Sequence, residues 1–146
     1  MWVAIGTDNV FRWPSLQLAA AQHANGAATY VYLFDWESPA FGGTLGSCHA
    51  LELPFVFGAV GVPAVQLFTG SGPEVETLSS QMQAAWLSFA RSGDPSSSGS
   101  LDWPKWDPAS RATMRFGHDS GMVNAPRDTE LEVWERYRSL LAGVHG

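Results

Sequence analysis

The sequence predicts an α/β fold of which this chain holds only a part. Helical and strand patterns alternate along its 146 residues, as in layered α/β proteins. Residues 29–36 (TYVYLFDW) are apolar on both faces, which is typical of a central strand covered on both sides. The pattern shows one other strand, and two strands are too few for such a sheet. We therefore expect the remaining strands to lie outside this chain.

The composition is that of a chain that folds, and it excludes several classes of partner and site. Apolar residues make up 45% of the chain and charged residues 15%, and seven Trp, eight Phe and three Tyr exclude a disordered segment. The net charge is −6 and the Lys and Arg residues are scattered, so we expect no nucleic-acid partner, since binding to phosphates needs clustered cations. The single cysteine, Cys48, excludes an intrachain disulfide and a cysteine-based zinc site.

No membrane span and no targeting segment are predicted. The most apolar run, residues 53–68, is shorter than the ~18 residues that a span needs. Pro and Gly interrupt it, so we interpret it as a buried loop and turn region. The start, MWVAIGTDN, lacks the basic segment and apolar core of a secretory signal. We expect no membrane partner, and the compartment of the protein stays open.

Three helices are predicted. The first covers residues 8–25, with a bend near Pro14 and a stop at an Asn-Gly pair. The second runs from Pro73 to a stop at Gly93 and has the clearest apolar stripe, at spacings of three and four residues. The third covers residues 128–142, where apolar side chains again share one face.

The remaining segments predict a strand, a turn and a long loop. Residues 113–116 (TMRF) favour a short edge strand, and residues 94–100 (DPSSSGS) are typical of a surface turn. Residues 38–58 follow the first strand and are rich in Gly, Pro and aromatic side chains without a regular period. Long ordered loops of this kind usually carry function, so we expect the site in this stretch.

His49 is the main candidate for chemistry within that stretch. It lies in a Gly-flanked loop beyond the carboxyl end of the first strand, where open α/β sheets place their sites. An imidazole takes up and releases protons near neutral pH, which suits acid and base catalysis. The alternative is a loop histidine satisfied by backbone contacts, and position alone leaves both interpretations open.

The stretch TYVYLFDWESPAFGGTLGSCHALELPFVFG resembles the histidine region of type-B carboxylesterases, the family of para-nitrobenzyl esterases and cholinesterases. In that family a Tyr-rich strand precedes a Gly-small-x-His-Gly/Ala-x-Glu-Leu segment and then Phe-Val-Phe-Gly. TDNVFRWPSLQLA resembles the family's Asp-x-x-Phe-Arg-x-Pro helix, and LSSQMQAAWLSFARSGDP and WPKWDPASRATMRF resemble its later helix and last strand. Several motifs in the right order, covering nearly the whole chain, are far more specific than one.

The resemblance implies the C-terminal portion of an α/β-hydrolase fold, with few strands of its own and about three helices. It also implies a Ser-Glu-His or Ser-Asp-His triad, in which the order along the chain is nucleophile, acid, histidine. His49 aligns with the catalytic histidine. Its role would be general base toward the serine hydroxyl and then general acid toward the leaving alcohol of a small carboxylic ester. We expect no cofactor and no metal.

The departures from the family pattern indicate a fragment. The sequence contains no Gly-x-Ser-x-Gly nucleophile motif and no Gly-Gly-Gly oxyanion loop, and only forty-eight residues precede His49. We therefore expect residues 1–146 to be the C-terminal segment of a carboxylesterase domain, without its nucleophile-bearing N-terminal part. The isolated chain should be inactive. Its expected partner is that missing part of the same enzyme or, in a homo-oligomer, a second copy of the chain.

Local residues do not replace the missing triad members. Cys48 is adjacent to His49, but neighbouring side chains in an extended segment diverge, so we interpret Cys48 as a small buried residue. Asp8 is interpreted as a carboxylate at a helix start, and Asp35 as a strand-end residue satisfied by backbone donors or by an Arg. Glu52 is interpreted as anchoring the loop rather than reacting.

The other histidines, His23, His118 and His145, show no spacing typical of metal ligands. Two alternative functions remain beside the esterase. One is a catalytically inactive, cholinesterase-like binding or structural module, and the other is a truncated product that self-associates. The presence of His49 favours the enzyme, since inactive relatives tend to lack the serine or the histidine.

Overall fold

A three-stranded sheet lies at the centre of the computed structural model, which describes residues 2–96 and 101–144. Strand β1 (Val31–Phe34) pairs in parallel with β2 (Ala112–Phe116), and β2 pairs in antiparallel with β3 (Gly121–Asn124). The strand order is β1-β2-β3, so β1 is paired on one side only within the described residues. The predicted first strand is confirmed, and it is shorter than residues 29–36.

The prediction that residues 113–116 form an edge strand is wrong, because β2 lies between β1 and β3. Met114 and Phe116 on β2 are completely buried, as suits a central position. The sequence pattern missed β3. That strand has only four residues and contains a Gly and an Asn, both of which are depleted in strands.

One face of the sheet is covered by helix α5 (Pro73–Ser92) together with the short helix α3 (Leu53–Val56). Aromatic rings fill the space between them. Tyr32 meets Trp86 of α5 at a ring distance of 5.0 Å, and Phe34 meets Phe55 of α3 at 5.4 Å. The predicted helix from Pro73 is therefore confirmed, and Gly93 ends it with a positive φ of 75° that favours glycine.

The core contains residues from β2, from the covering helices and from the loops between them, and Phe34 of β1 packs against it. Its buried members are Trp36, Leu51, Phe55, Val60, Val75, Leu78, Met82, Ala85, Trp103, Met114 and Phe116. Burial of this apolar surface is the main term that stabilises the fold.

The first predicted helix extends further toward the N-terminus than residues 8–25. Helix α1 (Trp2–Thr7) continues through a π-helical turn (Asp8–Arg12) into α2 (Trp13–Ala24). Pro14 explains the site of the irregularity, because proline has no N–H to bond the carbonyl four residues earlier. Asp8 is consequently inside a continuous helical segment, and its interpretation as a carboxylate at a helix start is wrong.

The prediction that residues 53–68 form loops and turns is also wrong, because α3 and α4 (Pro63–Thr69) lie there. Pro54 and Pro63 stand in the first turns of these helices, where a missing N–H costs nothing. The same prolines that read as helix breakers therefore start helices. Before them, Ala40–Gly43 forms a 3₁₀ turn in the predicted loop.

Helix α6 (Asp128–Val144) confirms the third predicted helix. Its Trp134 donates an indole hydrogen bond to Asp8 at 3.4 Å, which joins α6 to the π-helical turn. The predicted turn at residues 94–100 is described only up to Ser96, whose amide bonds the Asp94 side chain at 2.9 Å. Across residues 2–96 and 101–144, no helix combines the length and hydropathy that a membrane span requires.

Candidate active site

His49 lies in a tight turn between β1 and α3, at the carboxyl end of the parallel strands. Two backbone bonds shape the turn, from the Leu51 amide to the Cys48 carbonyl and from the Leu53 amide to the Ala50 carbonyl, both at 3.3 Å. Ala50 has a φ of 67°, the left-handed region, which reverses the chain directly after His49. Leu51 is completely buried and anchors the turn, while His49 stays exposed.

The imidazole of His49 stacks on the ring of Phe11, which belongs to the π-helical turn. The ring centroids are 5.4 Å apart and the ring planes are inclined by 22°. In the described part of the chain, His49 has no hydrogen-bond partner for its side chain. Both ring nitrogens are therefore available to groups that this chain does not supply, as a general base requires.

A cavity of about 590 Å³, which we call the β1 groove, opens beside His49. Residues 29–34 all line it, although successive side chains of a strand point to opposite faces. The groove therefore follows β1 along its length, and Thr113 of the paired strand β2 also lines it. The other walls come from α2, the His49 turn and the segment that precedes α6, and they are mainly apolar. An open edge next to apolar walls is suited to another strand.

Cys48 and Glu52 flank His49 in sequence but do not pair with it. Cys48 is half-buried rather than buried as predicted; it packs against the apolar core and also lines the β1 groove. Glu52 lines the β1 groove, and its backbone carbonyl accepts bonds from the Phe55 and Val56 amides at 3.0 Å each. Burial, and secondarily the charge of Glu52, raise the pKa of Tyr32.

The two aspartates considered as acids are engaged elsewhere. Asp8 is buried, with 4% of its surface exposed, and forms an ion pair with Arg12 at 2.9 Å. Asp35 directly follows β1 and lies 3.5 Å from the Arg115 guanidinium, so the interpretation as a strand-end residue held by an Arg is confirmed. Burial raises the pKa of the Asp35 carboxyl, although Arg115 and His118 both act to lower it.

The other histidines serve different contacts. His23 meets Trp106 edge-on at 6.2 Å, and His118 lies 3.0 Å from the Glu74 carboxylate and 4.2 Å from the ring of Trp36. His145 lies outside the described residues. Nowhere in residues 2–96 and 101–144 do three His, Cys, Asp or Glu side chains form a group that could hold a metal ion.

Phe11 is the residue near His49 that sequence reasoning did not single out. The two are separated by 38 positions, and periodicity does not bring them together. The only available signal was the Asp-x-x-Phe-Arg-x-Pro motif, in which Phe11 is the aromatic member.

The carboxylesterase family model matches residues 2–134. The para-nitrobenzyl esterase of Bacillus subtilis is 34% identical over 128 residues, which are 86% of this chain and 25% of that relative. The bile salt-activated lipase of Homo sapiens is 36% identical in an alignment of 140 positions that covers 88% of this chain and 18% of that relative. The chain thus spans about a quarter or less of the length of these relatives.

Solved structures give the same result. A carboxylesterase of Geobacillus stearothermophilus superimposes with a TM-score of 0.78 at 40% identity, over 91% of this chain and 27% of that one. A para-nitrobenzyl esterase superimposes with a TM-score of 0.75 at 32% identity, over 86% of this chain and 25% of that one. The described helices and three-stranded sheet correspond to part of an α/β-hydrolase fold.

Proposed function

Because this chain belongs to the carboxylesterase family, we propose that it is the histidine-bearing segment of a serine esterase, with His49 as the general base and acid. The observation that carries the proposal is the placement of His49. It is exposed at the carboxyl end of β1, beside the β1 groove, and its ring nitrogens have no partner among the described residues. Ring nitrogens that are exposed beside a groove can reach groups that another part of the protein supplies.

The reaction follows from the chemistry of imidazole. One ring nitrogen takes the proton of a serine hydroxyl while the serine oxygen attacks the ester carbonyl carbon. The imidazolium then gives that proton to the alcohol oxygen as its bond to the carbonyl carbon breaks, which leaves an acyl-serine. In the second half His49 takes a proton from water, the resulting hydroxide attacks the acyl carbon, and the proton returns to the serine oxygen as it departs.

The proposal requires a second part of the same protein. The chain contains no Gly-x-Ser-x-Gly motif, and its matched stretch covers only 25% of the Bacillus subtilis relative. That other part supplies the serine, the acid that orients His49 and the oxyanion donors. It also covers the β1 groove. Where the chain is on its own, a second copy is the available partner for the same surface.

A chimera tests the role of His49. This chain replaces the matching quarter of the Bacillus subtilis para-nitrobenzyl esterase, and hydrolysis of a nitrophenyl ester is measured. We expect an active enzyme in which His49→Ala lowers kcat about 10⁴-fold or more, as the loss of a triad member does. His23→Ala is the matched control, because His23 lies on α2 against Trp106, and we expect it to keep activity.

The isolated chain provides a second arm of the test. It holds a base without a nucleophile, so we expect no stoichiometric release of nitrophenol before turnover. Such a burst would show a nucleophile within this chain, with Cys48 the first residue to replace.

Two outcomes contradict the proposal. The first is a chimera whose activity survives His49→Ala. The second is a chimera that unfolds cooperatively, and is therefore folded, yet hydrolyses no ester, which would favour the alternative of an inactive binding or structural module.

A further inference from the structure

We infer that Phe11 is a positioning residue for His49, a role that rests on the proposed function of that histidine. The ring of Phe11 lies against one face of the imidazole and sets the plane in which the two ring nitrogens point. The inference starts from the 5.4 Å stack between the two rings, which are inclined by only 22°. That distance falls within the range of offset-stacked aromatic pairs.

The stack constrains the imidazole without occupying its reactive edge. Both nitrogens of a histidine lie in the ring plane, and Phe11 covers a face, so neither nitrogen is blocked. An exposed histidine without hydrogen bonds is otherwise free to rotate about its side-chain bonds. Phe11 thus orients the imidazole of His49 as a hydrogen bond would, and it leaves both ring nitrogens free to form hydrogen bonds.

The position of Phe11 is itself fixed from the other side of the π-helical turn. Asp8 begins that turn, is buried, and pairs with Arg12 at its end at 2.9 Å. Trp134 of α6 donates to the same carboxylate at 3.4 Å. The turn is therefore tied to α6 through Asp8, and Arg12, which follows Phe11, pairs with the same carboxylate.

Core packing does not account for Phe11. Its ring is 52% exposed, whereas the aromatic residues of the core, such as Phe55 and Phe116, are completely buried. A half-exposed ring that stacks on an exposed histidine forms a small platform at the surface. A catalytic group must be held within about 0.5 Å and 10–20° of its productive geometry. The backbone of the His49 turn does not fix the imidazole plane, and the stack with Phe11 restricts its rotation.

Kinetics of the chimera test the inference. Phe11→Leu keeps an apolar side chain of similar size and removes the ring, and we expect it to lower kcat about 10-fold to 100-fold, as misplacement of a catalytic group does. KM should change little, because substrate contacts are not removed. Phe11→Tyr keeps the aromatic ring and its stack on His49, so it should retain most of kcat.

Phe57→Leu is the matched control, since Phe57 is 78% exposed and belongs to α3's end rather than to the His49 stack. Phe11→Met serves as a second ringless variant if Phe11→Leu does not fold. Thermal unfolding of each variant separates loss of kcat from loss of structure.

The proton resonances of His49 report whether the stack with Phe11 is present in solution. In the isolated chain, the ring current of Phe11 shifts the Hε1 and Hδ2 signals of His49 upfield. The shift should disappear in Phe11→Leu and persist in Phe11→Tyr and Phe57→Leu.

Failure of this inference is distinguishable from failure of the proposed function. If His49→Ala has no effect on activity, the proposed function is wrong. If His49→Ala abolishes activity while Phe11→Leu behaves as Phe57→Leu does, only the positioning role is wrong. A loss of kcat in Phe11→Leu with unchanged His49 resonances also overturns it.

Discussion

The two sides of strand β1 differ in how completely the described residues pack against them. Toward α5 and α3, the strand packs into an aromatic core in which Phe55 and Phe116 have no exposed surface. Toward the β1 groove, it presents an unpaired edge, and apolar side chains such as Leu18 of α2 remain 62% exposed. Among the described residues, one side is a completed core, and the other is an unpaired edge beside an apolar surface.

The difference separates what a chain needs in order to fold from what it needs in order to react. The core on the α5 side closes within the chain, because residues of β2, α3 and α5 form it and Phe34 of β1 packs against it. The groove side carries His49 and leaves it without hydrogen bonds to the described residues. As the catalytic base that we propose, His49 keeps its nitrogens for other groups, so the proposed site needs residues from a second part of the enzyme.

The largest expected effect on stability comes from the closed side. Phe55→Ala removes a fully buried ring that contacts Phe34 at 5.4 Å and Trp36 at 5.8 Å. We expect it to lower the free energy of unfolding by about 3–5 kcal/mol through lost burial and the remaining cavity. Phe57→Ala, two residues later and 78% exposed, should change it by about 0.5 kcal/mol or less. Urea unfolding compares the two, and equal losses would contradict a core closed on the α5 side.

An intermediate effect is expected on association. The isolated chain should self-associate through the β1 groove, because the groove combines an open strand edge with exposed apolar side chains. Leu18→Glu places a charge on the groove wall and should weaken association about 10-fold or more, since that charge would be buried on binding. Light scattering over a range of concentrations measures this change.

Leu87→Glu is the control for association, since Leu87 is an exposed residue of α5 on the other side of the sheet. Equal effects of the two charges would contradict a groove-specific contact. A clean monomer of 15.8 kDa that binds no hydrophobic dye would show that the groove needs no partner.

The closed side of the fold was also the more predictable one. The stripe of α5 repeats over 20 residues, and the β1 segment is apolar on both faces, so periodicity located both. The short helices and the short strand β3 were not predicted. Pro54 and Pro63 were interpreted as interruptions of an apolar run, although proline is also common in the first turn of a helix. The edge position given to residues 113–116 was wrong because strand order depends on pairing across the chain, and periodicity carries no such information.

The site was predictable only in part, for a related reason. His49 could be found from a motif, because its loop residues are adjacent in sequence. Its contact with Phe11 could not, since the stack joins positions 11 and 49 through the packing of a helix and a loop. The pair of His118 with Glu74, 44 positions apart, was missed in the same way. A motif identifies a residue from its neighbours in sequence, whereas tertiary packing decides which distant residues come into contact.

The smallest expected effect concerns Asp35, which directly follows β1 and lies beside Arg115 of β2. Burial raises the pKa of its carboxyl above the ordinary value of 3.8, against the opposing effect of Arg115. The stability that Asp35 contributes is therefore fully present below about pH 3.8 and is lost as the pH rises through the raised pKa. Asp35→Asn removes this titration, so the variant should gain stability relative to the parent chain as the pH rises through that window. The gain should stay below about 1 kcal/mol, because the side chain is partly exposed and solvent screens it.

In the same experiment, the stability change of an Asp107 variant should have the opposite pH dependence. Hydrogen bonds from the Ser110 hydroxyl and from the Ser110 and Ala109 amides hold the pKa of Asp107 below its ordinary value of 3.8. Its contribution to stability is present above pH 3.8 and is lost as the pH falls through the lowered pKa. Asp107→Asn should therefore lose stability relative to the parent chain as the pH rises from the acid side, while Asp35→Asn gains it. Melting temperatures measured from acid to neutral pH give both differences, and parallel trends in the two variants would show that burial at the end of β1 does not govern Asp35.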